Sequence, residues 1–253
     1  MVRELASIST ALALLLLGAA VGRADEQADC RAVIDKAVQA RGGKDKLLKY
    51  TAATARTKGM FHGFGQALPI KGEFTSQWPN KTKVSLELEA MGQELKFVAV
   101  ADGKQGWRRI NDDVVEMSEE QLAEQKHSSF HGYVSSLAGL LLDKDITLKP
   151  LGESKIDGRT VVGIKASKPG HRDISLYFDK ETGLLTRSVT KVKDVDRDVE
   201  FEQETTYGNY KEFEGVKHAT KQLMKRDGEP FLEMEVVELK PAVKLDDAVF
   251  SKP

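Results

Sequence analysis

His127 and His131 stand four residues apart, and two histidines on one helical face can hold a metal ion. Glu124 lies close enough in the chain to complete such a set. No glutamate sits between the two histidines, so the pair is not a zinc-protease helix, and Gly132 weakens helical continuity. The residues therefore read as a solvent-exposed or lid-hinge pair, with no metal expected. Glu200, Glu202 and Glu204 alternate with Val199 and Phe201. Such a ladder can attract cations, but it also makes a solvated sheet face that resists edge pairing. Lys191, Lys193, Lys217, Lys221 and Lys225 on nearby strands offer it cross-strand partners. No Gly-x-Ser-x-Gly elbow occurs, and Gly63-Phe64-Gly65 lacks a phosphate loop's lysine. Cys30 is the only cysteine, so no intramolecular disulfide forms. It shares a helical face with Val33, Ile34, Ala37 and Val38, which makes it a buried, inert thiol. No constellation of these residues supports an enzyme, and no cofactor is expected.

The elements around these residues are mostly strands. Asp25 is placed to cap a first helix running to about Arg41, where Gly42-Gly43 ends it. A short helical turn, 44–49, follows. Strands are expected over 51–61, 68–78, a third through Val84, Leu86 and Leu88, and 95–101. Val84, Leu86, Leu88 and Ala90 alternate with Ser85, Glu87 and Glu89, the mark of a half-buried strand. Two short strands, 107–110 and 114–117, pair across Asn111-Asp112-Asp113. Ser118-Glu119-Glu120-Gln121 then matches a capping box and opens a polar helix to about Gln125. A second helical segment, 130–142, carries Phe130, Tyr133, Val134, Leu137, Leu140 and Leu141 at helical spacing. Strands resume near Ile146 and continue through Asp157-Gly158, Asp179 to Gly183, and Asp227-Gly228 turns. The last strands are expected over 199–207, 216–225 and 231–239. The plan is α+β: one curved antiparallel sheet of 10–12 strands with helices gathered against one face.

The ends and the charge bound the setting. Arg3 precedes an apolar run from Ala11 to Val21, and small residues stand at Gly22 and Ala24. These features predict a leader over 1–24, cleaved before Asp25, and one domain over 25–253. The run is shorter than the roughly 20 residues a spanning helix needs. Asp29 directly precedes Cys30, which excludes a lipoprotein acylation site. The formal net charge is −1 with both signs interspersed, so nucleic-acid binding has no electrostatic support.

The order Gly72, strand, Trp78-Pro79-Asn80, long strand, apolar strand, Val100-Ala101-Asp102-Gly103-Lys104, Trp107 resembles the LolA/LolB-like superfamily of periplasmic lipoprotein carriers. The Tyr177-Phe178-Asp179 to Gly183-Leu184 hairpin and the Leu245-Asp246-Asp247 to Phe250 ending add to the resemblance. Trp78 departs from it, since the carriers have a basic residue before Pro-Asn. The resemblance implies an open half-barrel whose concave side is plugged by helices, with a cavity for acyl chains. It implies a periplasmic or secreted monomer whose partners are a lipid or an acylated protein and the envelope proteins that load or receive it. The alternative it implies is an envelope sensor or protein-interaction domain on the same sheet. On this reading Val84, Leu86, Leu88, Leu95 and Phe97 line the chamber from the sheet, and Phe130, Tyr133, Leu137 and Leu141 from the plug. A fully packed core uses the same residues. The resemblance favours the cavity.

Overall fold

The computed structural model describes residues 27–253 apart from 91. The leader, its cleavage point and the Asp25 cap lie outside the described residues. Helix α1 occupies residues 27–41. It buries Cys30, Ile34, Ala37, Val38 and Arg41, a one-faced stripe of helical period. Helix α2, Lys44–Lys49, follows the two glycines.

Thirteen strands then form one antiparallel sheet. They are β1 Ala52–Phe61, β2 Leu68–Gln77, β3 Lys81–Ala90, β4 Gln93–Ala101, β5 Gly106–Ile110 and β6 Asp113–Glu116 before the helices, and β7 Thr147–Ile156, β8 Arg159–Ser167, β9 Ile174–Asp179, β10 Leu185–Asp194, β11 Val199–Phe213, β12 Val216–Arg226 and β13 Glu229–Ala242 after them. The order is β6-β5-β4-β3-β2-β1-β13-β12-β11-β10-β9-β8-β7. The chain therefore runs outward to one edge, crosses to the other, and returns to pair β13 with β1 at the centre. Edges β6 and β7 stay unpaired with each other, so the curved sheet is an open half-barrel. The crossing is made by α3, Glu119–Ser135, and α4, Ala138–Leu142.

The helices differ from the sequence reading. Helix α3 is continuous through Gly132, whose added Cβ would meet nothing within 4 Å. The break falls later, at Leu137 with φ 72°. The expected capping box forms: the Ser118 hydroxyl accepts from the Gln121 amide and the Gln121 side chain accepts from the Ser118 amide. Strand β11 runs six residues past the expected Tyr207, and its register with β12 is the same on both sides of Asn209, which sits at φ 50°. A 3-10 turn, η1 Asp247–Phe250, packs beside β3 and buries Phe250.

The motifs behind the resemblance meet in space. The Asp102 carboxylate accepts from the amides of Lys104 and Gln105 and shapes the β4–β5 turn. Gly103 sits in it at φ 94°, and an added Cβ would lie 2.6 Å from the Asn80 side chain. Only glycine satisfies both the left-handed backbone and the close approach.

The apolar interior divides in two. The larger cluster joins α1, α3 and α4 to β7–β10, with Ile34, Val134, Leu137, Ile164, Leu176 and Phe178 at its centre. The smaller one consists of Ile70, Leu232 and Met234, with Phe61, Phe74, Leu86 and Leu88 partly buried against it, and no helical residue belongs to it.

Candidate binding site

Helix α3 is tied to the concave face by polar contacts. His127 Nε2 lies 3.2 Å from Thr190 Oγ1 and 3.1 Å from the Lys191 carbonyl. A carbonyl only accepts, so Nε2 carries the proton, and Nδ1 is buried without a partner. One turn later His131 Nε2 lies 2.8 Å from Ser188 Oγ, which is 2.9 Å from the Tyr207 hydroxyl. Tyr207 donates back to Ser135 at 3.4 Å, closing a loop from helix to sheet to helix. Glu124 accepts from Arg172 at 2.6 Å and from the Lys193 amide at 3.0 Å.

Burial sets the protonation states. It lowers the His127 pKa, with Glu124 opposing and Arg172 and His171 adding to the fall. It pushes His131 down to about 4, and neighbouring His127 lowers it further. Both imidazoles are neutral at pH 7. The exposed or hinge reading of this pair is therefore corrected: both side chains face β10, because the stripe that buries Phe130, Tyr133 and Val134 turns positions 127 and 131 inward with them. No group of three metal-ligating side chains occurs among the described residues. Ser188 and His131 stand at the separation of a nucleophile–base pair, yet Ser188 is wholly buried and the other contacts at this site are hydroxyls, not an orienting carboxylate. The pair fastens a helix.

A second tie lies at the far end of α1. Arg41, 8% exposed, donates to the carbonyls of Lys217 at 2.8 Å and Ser136 at 3.1 Å. Its guanidinium also reaches His218 Nδ1 at 3.4 Å, so that nitrogen accepts. Burial, then Arg41, pushes His218 down to about 4. Arg41 thus holds α1, the α3–α4 junction and β12 together.

The nine proposed chamber residues fall into two places. Phe130, Tyr133 and Leu137 are buried in the larger cluster, and Leu141 packs partly buried against it. Val84, Leu86, Leu88, Leu95 and Phe97 are half-buried and share one face. The register sets Leu86 opposite Phe97, Leu88 opposite Leu95, and Val84 opposite Phe74. This face continues through Ile70, Gly59 and Met234. Two residues from Met234 is Leu232, which pairs with Met224, then Thr205, then Ser188 under α3. It is therefore the helix-bearing, concave face, but on β1–β4, β12 and β13 no helical residue joins the apolar cluster that fills it. Gly72 shapes its floor: an added Cβ would lie 2.6 Å from Leu86 Cδ2 and 2.9 Å from the Ser85 carbonyl.

A second concavity lies elsewhere. A groove of about 1340 Å³ crosses seven strands, from β11 to β4, and Leu88 is the one proposed chamber residue that touches it. One wall is the register row Lys221, Glu235, Lys58, Lys71 and Glu87. The other includes Leu223, Glu233, Met60 and Pro69. Both rows alternate with the row of Met234, Gly59, Ile70 and Leu88, so their side chains stand on the outer face, away from the helices. At both register shifts, opposite Arg56/Thr57 of β1 and Met224/Lys225 of β12, the extra residue is in β13, and such bulges bend a strand. Sequence alternation marked this face only as solvated. The register sets the expected lysine–glutamate ladder, with Lys191 opposite Glu202, Lys193 opposite Glu200 and Lys225 opposite Glu204, while the close ion pairs are Glu204 with Arg187 at 3.1 Å, Glu200 with Arg172 at 4.0 Å, and Lys193 with Glu120 and Asp198. Arg56 is also outward, bridging Glu73 and Glu238.

No family model matches the chain, and no curated protein matches its sequence. Solved structures do match its shape. A DUF1329 family protein from Desulfovibrio piger is 17% identical over 87% of this chain and 96% of its own, with a TM-score of 0.56. A LolA superfamily protein from Nitrosomonas europaea is 11% identical over 88% and 97%, with a TM-score of 0.54. The fold is LolA-like. A putative outer membrane lipoprotein-sorting protein domain from Vibrio parahaemolyticus shares it, at 12% identity over 87% and 95% and a TM-score of 0.53. Identities this low carry the fold and no residue-level role.

Proposed function

We propose that this chain is an envelope carrier that holds an acyl chain, of a lipid or of a lipoprotein, on the uncovered end of its concave face. The observation that supports it is the mismatch between sheet and cover: Phe61, Phe74, Leu86 and Leu88 stay half-buried against a cluster that no helical residue joins. Val84, Leu95 and Phe97 extend the same surface to β4. Each methylene laid there contributes about 0.8 kcal/mol, so a long chain binds without specific polar contacts. Loading and release follow movement of residues 118–142, which join the two sheet edges. Phe130, Tyr133, Leu137 and Leu141 then act as the inner side of that cover. The leader over 1–24 directs the chain to the periplasm or outside, where loading and receiving proteins are its partners.

Native mass spectrometry of protein purified without detergent tests the reading, together with uptake of a fluorescent fatty acid. Co-purified lipid and saturable uptake are expected, with uptake weakened at least tenfold in Leu86→Asn/Phe97→Asn. A lipid-free protein that takes up no probe overturns it. Amino-terminal sequencing of exported protein tests the setting and should begin at Asp25.

A further inference from the structure

The outer groove has a shape and charge order that the carrier reading does not use. It crosses seven strands, which at about 4.8 Å per strand makes a channel about 29 Å long. An extended polypeptide advances about 3.3 Å per residue, so roughly nine residues span it. The walls are unlike. Leu223, Met60 and Pro69 give one wall an apolar middle, while the other carries lysines and glutamates with two lysines, Lys58 and Lys71, side by side. The charges are also incompletely paired. Lys58 meets Glu235 at 3.8 Å, and Glu233 meets His62 at 3.0 Å. Lys71, Lys221, Glu87 and Glu89 make no ion pair among the described residues, although Lys71 and Glu87 are directly opposite in register. Lys58 and Lys71 are directly opposite as well, an arrangement that is unfavourable in an empty sheet. A carboxylate laid between them relieves it.

We propose that this groove docks an extended segment of a partner polypeptide, with an acidic side chain over Lys58 and Lys71, basic ones over Glu87 and Glu89, and an apolar side chain against Met60 and Pro69. The order of charge along the channel, cationic on β1–β2 and acidic on β3–β4, gives the segment its register. Backbone pairing is not involved, because all seven strands are already paired on both sides. Specificity comes from side chains alone, so binding weakens as salt screens the exposed groups. The site is on the opposite face from the acyl surface, and the proposal stands whether or not acyl chains bind.

The test uses the whole chain and a fluorescein-labelled nonapeptide, Lys-Thr-Lys-Val-Asp-Thr-Thr-Thr-Thr, whose lysines and aspartate face the charged wall and whose valine faces Met60 and Pro69. A neutral analogue carries glutamine for lysine and asparagine for aspartate. Fluorescence anisotropy should show saturable binding of the charged peptide and at least tenfold weaker binding of the analogue. Lys71→Glu and Glu87→Lys should each weaken binding at least tenfold with an unchanged melting temperature, since both side chains are exposed. Lys155→Glu, outside the groove, should leave it unchanged. Equal binding of the two peptides, no binding, or indifference to both groove variants overturns the proposal. So does Lys71-dependent retention on anionic phospholipid vesicles in place of peptide binding, which would make the surface a lipid site.

Discussion

His131→Asn should flatten the acid side of the stability profile. The imidazole is held near pKa 4 by burial and by His127, against about 6.5 in an unfolded chain. The unfolded chain therefore takes up the proton first. Stability is full above pH 6.5, falls as the pH drops through 6.5, and levels off below 4. The whole gap is worth about 3 kcal/mol, of which about 2 kcal/mol has gone by pH 5. Depressed carboxylates act in a lower window. Asp196, bonded by Arg108, and Asp179, bonded by the Thr182 amide, keep their contribution until the pH falls below about 4. Asparagine retains an amide able to bond Ser188 but does not titrate. Urea titrations at pH 7.5 and pH 5 should show the wild type losing about 2 kcal/mol more than the variant. With a urea slope of about 2–3 kcal/mol per molar, the difference in midpoint shift is about 0.7–1 M. His127, His171 and His218 titrate in both proteins and cancel in the comparison. The baseline cost of the substitution cancels as well, because slopes are compared. Equal losses in the two proteins would refute the reasoning and place His131 in solvent contact.

Three further outcomes follow from local geometry. Leu137→Asp should cost at least about 4 kcal/mol in chemical denaturation, since a side chain 1% exposed in the larger cluster is replaced by a buried carboxylate. Gly103→Ala should cost about 2 kcal/mol and Gly65→Ala about 1 kcal/mol, because both have positive φ but only Gly103 lies against Asn80; equal melting shifts would remove the steric part of the argument. Ser118→Ala should lower stability by about 1 kcal/mol through loss of the capping box, visible as a lower urea midpoint with an unchanged slope.

The strands and turns were legible in the chain because each rests on local rules. Alternation from Val84 to Glu89 fixed which side chains share a face, and Asp157-Gly158 and Asp227-Gly228 fixed two hairpins. Ser118 and Gln121 announced their helix because a capping box is complete within four residues. The resemblance carried by Trp78-Pro79-Asn80 and Asp102-Gly103-Lys104 reflected a real contact, although the sequence did not say that Gly103 lies against Asn80. What the sequence could not settle were relations between distant segments. The proposed chamber grouped Leu86 with Phe130, since both are apolar and on facing elements; how far the cover extends over the sheet depends on where α3 crosses, and only tertiary packing sets that. His127 fell between the polar helix and the apolar segment and His131 at the start of the latter, and nothing local tells whether such a pair meets water or the hydroxyls of β10 some sixty residues away. The outer groove needed even more: thirteen strands in register and the bend of β13 at its two bulges. Local sequence determines backbone conformation because those energies act over a few residues. Curvature, cover and charge rows across strands come from many weak contacts at long separation, which only the assembled sheet brings together.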